Sequence, residues 1–225
     1  MTRPMRATAV GVVFAVFVAG VTMLFLYFLN YPPTVAAAAA TTGSSGQEEI
    51  HLQTVPALGY GPHPTYVSYL ADINGKWVHT TMFQLKANTL VHFTIDQYDT
   101  GSTLRNSFMD QVQGTVGSTE VLNGGSPVRI INDNTDNGIG HTFAVPTLGV
   151  SVPMPGIASA ATNVCSIAPC ESSFDHNTIT FTIKTPAAGL YPWQCFVPCG
   201  LGWPYGNGGG MSTLGYMGGF LKVVA

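Results

Sequence analysis

Thr178–Lys184 reads TITFTIK, with Ile179, Phe181 and Ile183 on one face and threonines on the other. A two-residue period of this kind suits a half-buried strand, and no helix can use it. The same character recurs along the chain. Trp77–Lys86 (WVHTTMFQLK) and Leu90–Tyr98 (LVHFTIDQY) flank an Ala-Asn turn and read as an early strand pair. Pro127–Asn132 (PVRIIN) reads as a short buried strand running into the turn-rich NDNTDNGIG. His141–Val145, Leu190–Cys195 and Gly219–Val224 complete the set. After residue 30 no stretch carries the apolar spacing of an amphipathic helix. With 26 Gly and 15 Pro to supply turns, the expectation is an all-β chain folded as an antiparallel Greek-key β-sandwich.

One segment stands apart. Ala7–Leu29, ATAVGVVFAVFVAGVTMLFLYFL, has 23 residues and no charge. As a helix it would reach about 35 Å, enough for the ~30 Å core of a bilayer. Arg3 and Arg6 precede it, and the next basic residue is Lys76. Cytoplasmic flanks carry the excess of Lys and Arg, so the expectation is a single-pass transmembrane helix in the cell membrane. Its N-terminus would be cytoplasmic and the rest extracytoplasmic, with membrane lipid as a partner. The competing reading is a cleaved signal peptide, for which Ala36–Ala40 offers small residues, although the apolar run exceeds the usual signal core. Residues 33–50, small and polar without periodicity, read as a tether. The expected domains are therefore 1–30 as anchor, 31–50 as linker and 51–225 as one folded unit.

Charge excludes one function class. Charged residues are 8 % of the chain and the net charge is −3; the few basic residues are scattered, so nucleic acid is not an expected partner. No nucleophile elbow, phosphate loop or zinc-protease helix occurs, and Asp and Glu are too sparse to suggest an acid–base pair.

The chemistry-bearing residues cluster in the C-terminal half. His141 begins a strand, Cys195 ends one, Cys199 follows four residues later, and Met211 and Met217 precede the last strand. A sandwich brings strand ends together, and imidazole, thiolate and thioether are the donors that suit copper. Other readings stay open at this level. Cys195 and Cys199 can close a disulfide loop, bind metal or remain free thiols. His141 can be a hydrogen-bonded structural histidine. Cys165 and Cys170 read as a local structural disulfide. Trp193, Trp203, Tyr205 and Tyr216 read as packing at this end of the sandwich, with a docking patch as the alternative.

Two motifs carry a family resemblance. HTFAVPTLGV, residues 141–150, and CFVPCG, residues 195–200, resemble the segments H-[ST]-F-x-[VI]-P-x-L-G-V and C-x3-C-G of a cupredoxin, specifically the copper-binding domain of haem-copper (cytochrome c) oxidase subunit II. The resemblance implies copper as cofactor, with His141, Cys195, Cys199 and Met217 or Met211 as ligands. It implies electron transfer rather than catalysis by the domain alone, as a component of a respiratory terminal oxidase. The partners would be a haem-copper subunit I, or another respiratory membrane complex, and an electron-donor protein. The chain departs from the family at two places: the second His and the Met of the loop are replaced by Trp203 and Gly206. An imported second histidine would have to come from His79, His92 or His176, and His92 is expected to face solvent. Two alternatives follow: a copper-free structural or docking subunit with a Cys195–Cys199 disulfide, and a Cu(I) carrier.

Overall fold

The computed structural model describes residues 3–30, 37–43, 46–134, 137–200, 209–211 and 213–225. The chain divides into two compact units, Met1–Val35 and Ala36–Ala225. The first contains one helix, α1 (Arg3–Asn30). Among the described residues no helix is long and apolar enough to cross a membrane, which corrects the expected single-pass anchor and the orientation inferred from it.

The second unit is built of strands. Its first part holds β1 (Ala38–Ala39), β2 (Thr41–Thr42), β3 (Glu48–Val55), β4 (Ser68–Asp72), β5 (Trp77–His79), β6 (Met82–Lys86) and β7 (Leu90–Gln97). Its second part holds β8 (Glu120–Leu122), β9 (Pro127–Val128), β10 (Ile139–Val145), β11 (Val150–Pro155), β12 (Asn177–Lys184), β13 (Gly189–Gln194) and β14 (Gly218–Val224). One sheet runs β1-β6-β14-β13-β10-β11; the other runs β5-β4-β3-β7-β12-β8-β9, with β2 on β3.

The alternation read in the sequence is what fills the space between the sheets. Val91, Phe93 and Ile95 of β7 and Ile179, Phe181 and Ile183 of β12 are buried. Phe93 lies opposite Phe181 in the register, and their rings stack at 5.0 Å. Phe143 of β10 bridges Phe181 and Trp193, 5.8 and 5.1 Å away. Each such side chain contributes roughly 1.5–3 kcal/mol by leaving water, so this aromatic layer holds the two sheets together.

Several expectations change. The sheets are mixed rather than wholly antiparallel: β1 with β6, β14 with β6 and β3 with β7 are parallel. Parallel partners need a long crossover, and between β3 and β7 the chain supplies one through β4, β5 and β6 instead of a helix. The run Trp77–Lys86 is two strands in different sheets, parted at the buried Thr80 and Thr81. The Ala-Asn turn exists, with Asn88 at φ 56°, but β6 and β7 do not pair with each other. The run Pro127–Asn132 keeps only β9, and Ile130 is 65 % exposed. In the segment read as a tether, β1 pairs with β6 and β3 begins at Glu48, which binds Lys86 through Nζ at 3.0 Å and through the main-chain N–H at 2.9 Å. Main-chain pairing needs no side-chain pattern, so this part of the sheet leaves no periodicity in the sequence.

Candidate metal centre

β10 and β13 lie side by side, Ala144 opposite Gln194, and this adjacency builds the site. Between Ile139 and His141 the β10–β11 register shifts, leaving Gly140 as the extra residue of a bulge. A side chain at Gly140 would collide with the Gln97 amide, so glycine is required there. Bulges re-aim side chains, and the next residue along the strand is His141.

His141 is 2 % exposed. Its Nε2 lies 2.7 Å from Asp99 Oδ2, and its Nδ1 lies 3.9 Å from Cys195 Sγ. Cys195 Sγ lies 3.1 Å from Cys199 Sγ, and neither cysteine is in a disulfide. Ligating atoms of these three residues all fall within 4.8 Å of one another, making a group that could hold a metal ion. Three of the ligand candidates read from the sequence, His141, Cys195 and Cys199, are thus brought together by the fold.

The methionines are placed differently from each other. Met217 is fully buried, and its carbonyl accepts the Cys195 N–H at 2.8 Å. Met211 lines a surface cleft beside Trp193 and Gln194. The other histidines take other roles. His92 is half-buried and paired with Thr182, 3.1 Å away; His176 Nδ1 sits 2.7 Å from the Phe174 carbonyl. His79 packs against Tyr216 and Tyr60. Trp193 and Tyr216 are buried as packing residues. Trp203, Tyr205 and Gly206 lie outside the described residues.

Three contributors were not singled out from the sequence. Asp99 holds the outer ring nitrogen of His141. Gln97, wholly buried, holds Asp99 in turn: its Nε2 donates to the Asp99 carbonyl at 2.8 Å and to the Pro155 carbonyl at 3.0 Å, and its Oε1 accepts the Asp99 N–H. Thr142 places its N–H 3.4 Å from Cys195 Sγ, and its hydroxyl accepts the Phe196 N–H at 2.8 Å. Thr142 occupies the [ST] position of the first motif, a signal that was available. Asp99 left none, being 42 residues from its partner.

The electrostatics follow from this cage. Burial opposes a charge on Cys195, yet hydrogen bonds from Cys199 and His141, the imidazolium charge and the Thr142 N–H together hold its thiol well below the usual range. Cys199 is pushed far up, first by its hydrogen bond to Cys195 and then by burial. Burial would also neutralise His141, but Asp99 and Cys195 raise its pKa to about 10. These directions favour an imidazolium–thiolate pair at His141 and Cys195, with the proton of the two cysteines on Cys199. A ring whose Nε2–H is committed to a carboxylate leaves Nδ1 as the ligating atom.

Among solved structures, rusticyanin from Thiobacillus ferrooxidans is similar with a TM-score of 0.32 and 14 % identity, over 85 % of this chain and 85 % of its own. Auracyanin B is similar with a TM-score of 0.31 and 15 % identity, over 84 % of this chain and 97 % of its own. Both neighbours are cupredoxins, and rusticyanin is described as a copper protein. No family model and no curated protein matches the chain.

Proposed function

We propose that the β-sandwich is a cupredoxin-like electron-transfer domain that holds one copper ion through His141, Cys195 and Cys199, with Met217 as the thioether donor. The observation that carries this reading is a buried imidazole and two unbonded sulfurs within 4.8 Å. The donor set suits copper and poorly suits magnesium or calcium. One imidazole in the group favours one ion over two.

Copper, when bound, supplies a one-electron couple whose two states both accept soft sulfur and nitrogen donors. The chain's own residues do the rest. Asp99 accepts the Nε2–H of His141, which orients the ring and fixes its tautomer. The Thr142 N–H draws charge from Cys195 Sγ. Main-chain pairing of β10, β13 and β14 fixes where the donors lie, so the ligands reorganise little when charge changes. Proton balance is part of uptake: the His141 ring proton on Nδ1 and the Cys199 thiol proton must leave for those atoms to ligate. In the wider reading, supported by HTFAVPTLGV and CFVPCG, the domain serves a respiratory oxidase. It takes electrons from a donor protein and passes them to a haem-copper subunit.

Titration of the reduced chain with copper, followed by metal analysis and an optical spectrum, tests this. One copper per chain with a strong visible thiolate-to-copper band is expected. Tightly held Cu(I) that never develops colour replaces electron transfer with carriage. A second reading has its own observation: sulfurs 3.1 Å apart need to close by only about 1 Å to reach bonding distance. An oxidant taking two electrons, with loss of the Cys199 thiol proton, would then give a copper-free docking unit. Absence of copper uptake by chain whose Cys195 and Cys199 are verified as reduced sinks the first reading.

A further inference from the structure

The face of the β10–β11 hairpin that carries Ala144 and Ser151 is only partly covered. A cleft of about 300 Å³ opens there, lined by Phe108, Met109, Ala144, Pro146, Ser151 and Phe196 among others, none of them charged. Ser151 is 7 % exposed and its Oγ has no hydrogen-bond partner. Its main chain is fully used: the Gln113 N–H donates to its carbonyl at 2.8 Å, and its own N–H donates to the Gln113 carbonyl at 3.0 Å. In the hairpin register it faces Ala144, which offers no polar group. A buried hydroxyl left unpaired costs about 1–3 kcal/mol, and here it belongs to a cleft in which Gln113 is the one other residue with a polar side chain.

We propose that this cleft binds a small uncharged molecule, largely apolar and about the size of one phenol ring, whose single polar group pairs with Ser151 Oγ. Small-molecule sites combine apolar walls with a few placed polar groups, and ~300 Å³ lies at the small end of their range. The absence of charge in the lining selects against ions. The mouth is adaptable: Phe108 is 49 % and Phe196 38 % exposed, and Met109 is an unbranched side chain that re-packs readily. Those side chains move aside for the ligand's polar group to reach Ser151. The site stands apart from the metal reading, since none of its lining residues is a proposed ligand. It still adjoins that centre, because Phe196 follows Cys195 directly.

The test uses 4-ethylphenol and ethylbenzene as probes, titrated into the full chain and followed by NMR shifts of Ala144, Phe108 and Phe196. Saturable shifts at these residues are expected, with 4-ethylphenol bound about two- to tenfold more tightly than ethylbenzene, the worth of one hydrogen bond. Ser151→Ala removes an unsatisfied group and should fold normally; it should abolish the preference between the probes. Met109→Trp, at a half-buried position, should fill the mouth and block both. Absence of saturable shifts in the wild type overturns the proposal. So does equal affinity for the two probes, or binding undiminished in Met109→Trp.

Discussion

The two cysteine pairs sit five and four residues apart and are buried alike, yet they meet opposite fates. Cys165 and Cys170 are joined in a disulfide, their Cα atoms 5.7 Å apart. They pack with Leu58, Leu70 and Tyr98, and the Gln53 side chain clasps the Cys170 main chain, accepting its N–H at 2.7 Å. Among the described residues, the side chains grouped closely enough to hold a metal do not include this pair. Cys195 and Cys199 remain separate beside His141 and the Thr142 N–H. Spacing does not distinguish the pairs. A neighbourhood that stabilises thiolate equips a cysteine to ligate a metal, and an apolar one favours a cross-link.

The largest contrast comes from a single serine in the open pair. Cys195→Ser should abolish stoichiometric copper uptake, by more than ~100-fold in affinity, while the circular dichroism of the sheets is unchanged. If that variant binds copper like the wild type, the contrast between the pairs collapses.

Both pairs share a background that must be separated from them. Glu120 is 1 % exposed with both carboxylate oxygens unpartnered, and burial raises its pKa to about 8. Between about pH 4.5 and 8 the folded chain keeps this proton and the unfolded chain has lost it, so stability is full at acid pH and falls as pH rises through that window. The loss is on the order of 4 kcal/mol. Urea midpoints from about pH 5 to 8 should show it, and Glu120→Gln should flatten the slope without altering either cysteine pair.

Cys165→Ser combined with Cys170→Ser should then cost about 2 kcal/mol of stability, the value for a loop this short, with copper stoichiometry retained. Loss of copper binding there would mean that the pairs are not independent. The smallest expected effect sharpens the other side. Asp99→Asn should weaken copper affinity about tenfold by leaving His141 poorly oriented, with Cys195 still reactive to the metal; competition against a chelator reads it.

The legible parts of the fold are those with one buried face. β12 announced itself because Ile179, Phe181 and Ile183 alternate with threonines, and β7 did so through Val91, Phe93 and Ile95. β4, SYLAD, was not read because four of its five residues are buried, which erases alternation. The β6–β7 pairing failed for another reason: a turn between two runs does not reveal that the chain changes sheets across it. At the site, His141, Cys195 and Cys199 were readable because each lies within a short motif. Asp99, Gln97 and Ser151 were not, because their meaning depends on what faces them.

By itself the sequence determined that the chain is mostly strands, and which three side chains gather into a group that could hold a metal ion. Local spacing records backbone period and motif, and both survive in a linear reading. Tertiary structure alone decided that His141 meets Asp99 and Cys195, that one cysteine pair closes while the other stays open, and that Glu120 and Ser151 are buried without side-chain partners. These outcomes depend on distances across the sandwich, and residues far apart in the chain acquire such distances only when the sheets pack.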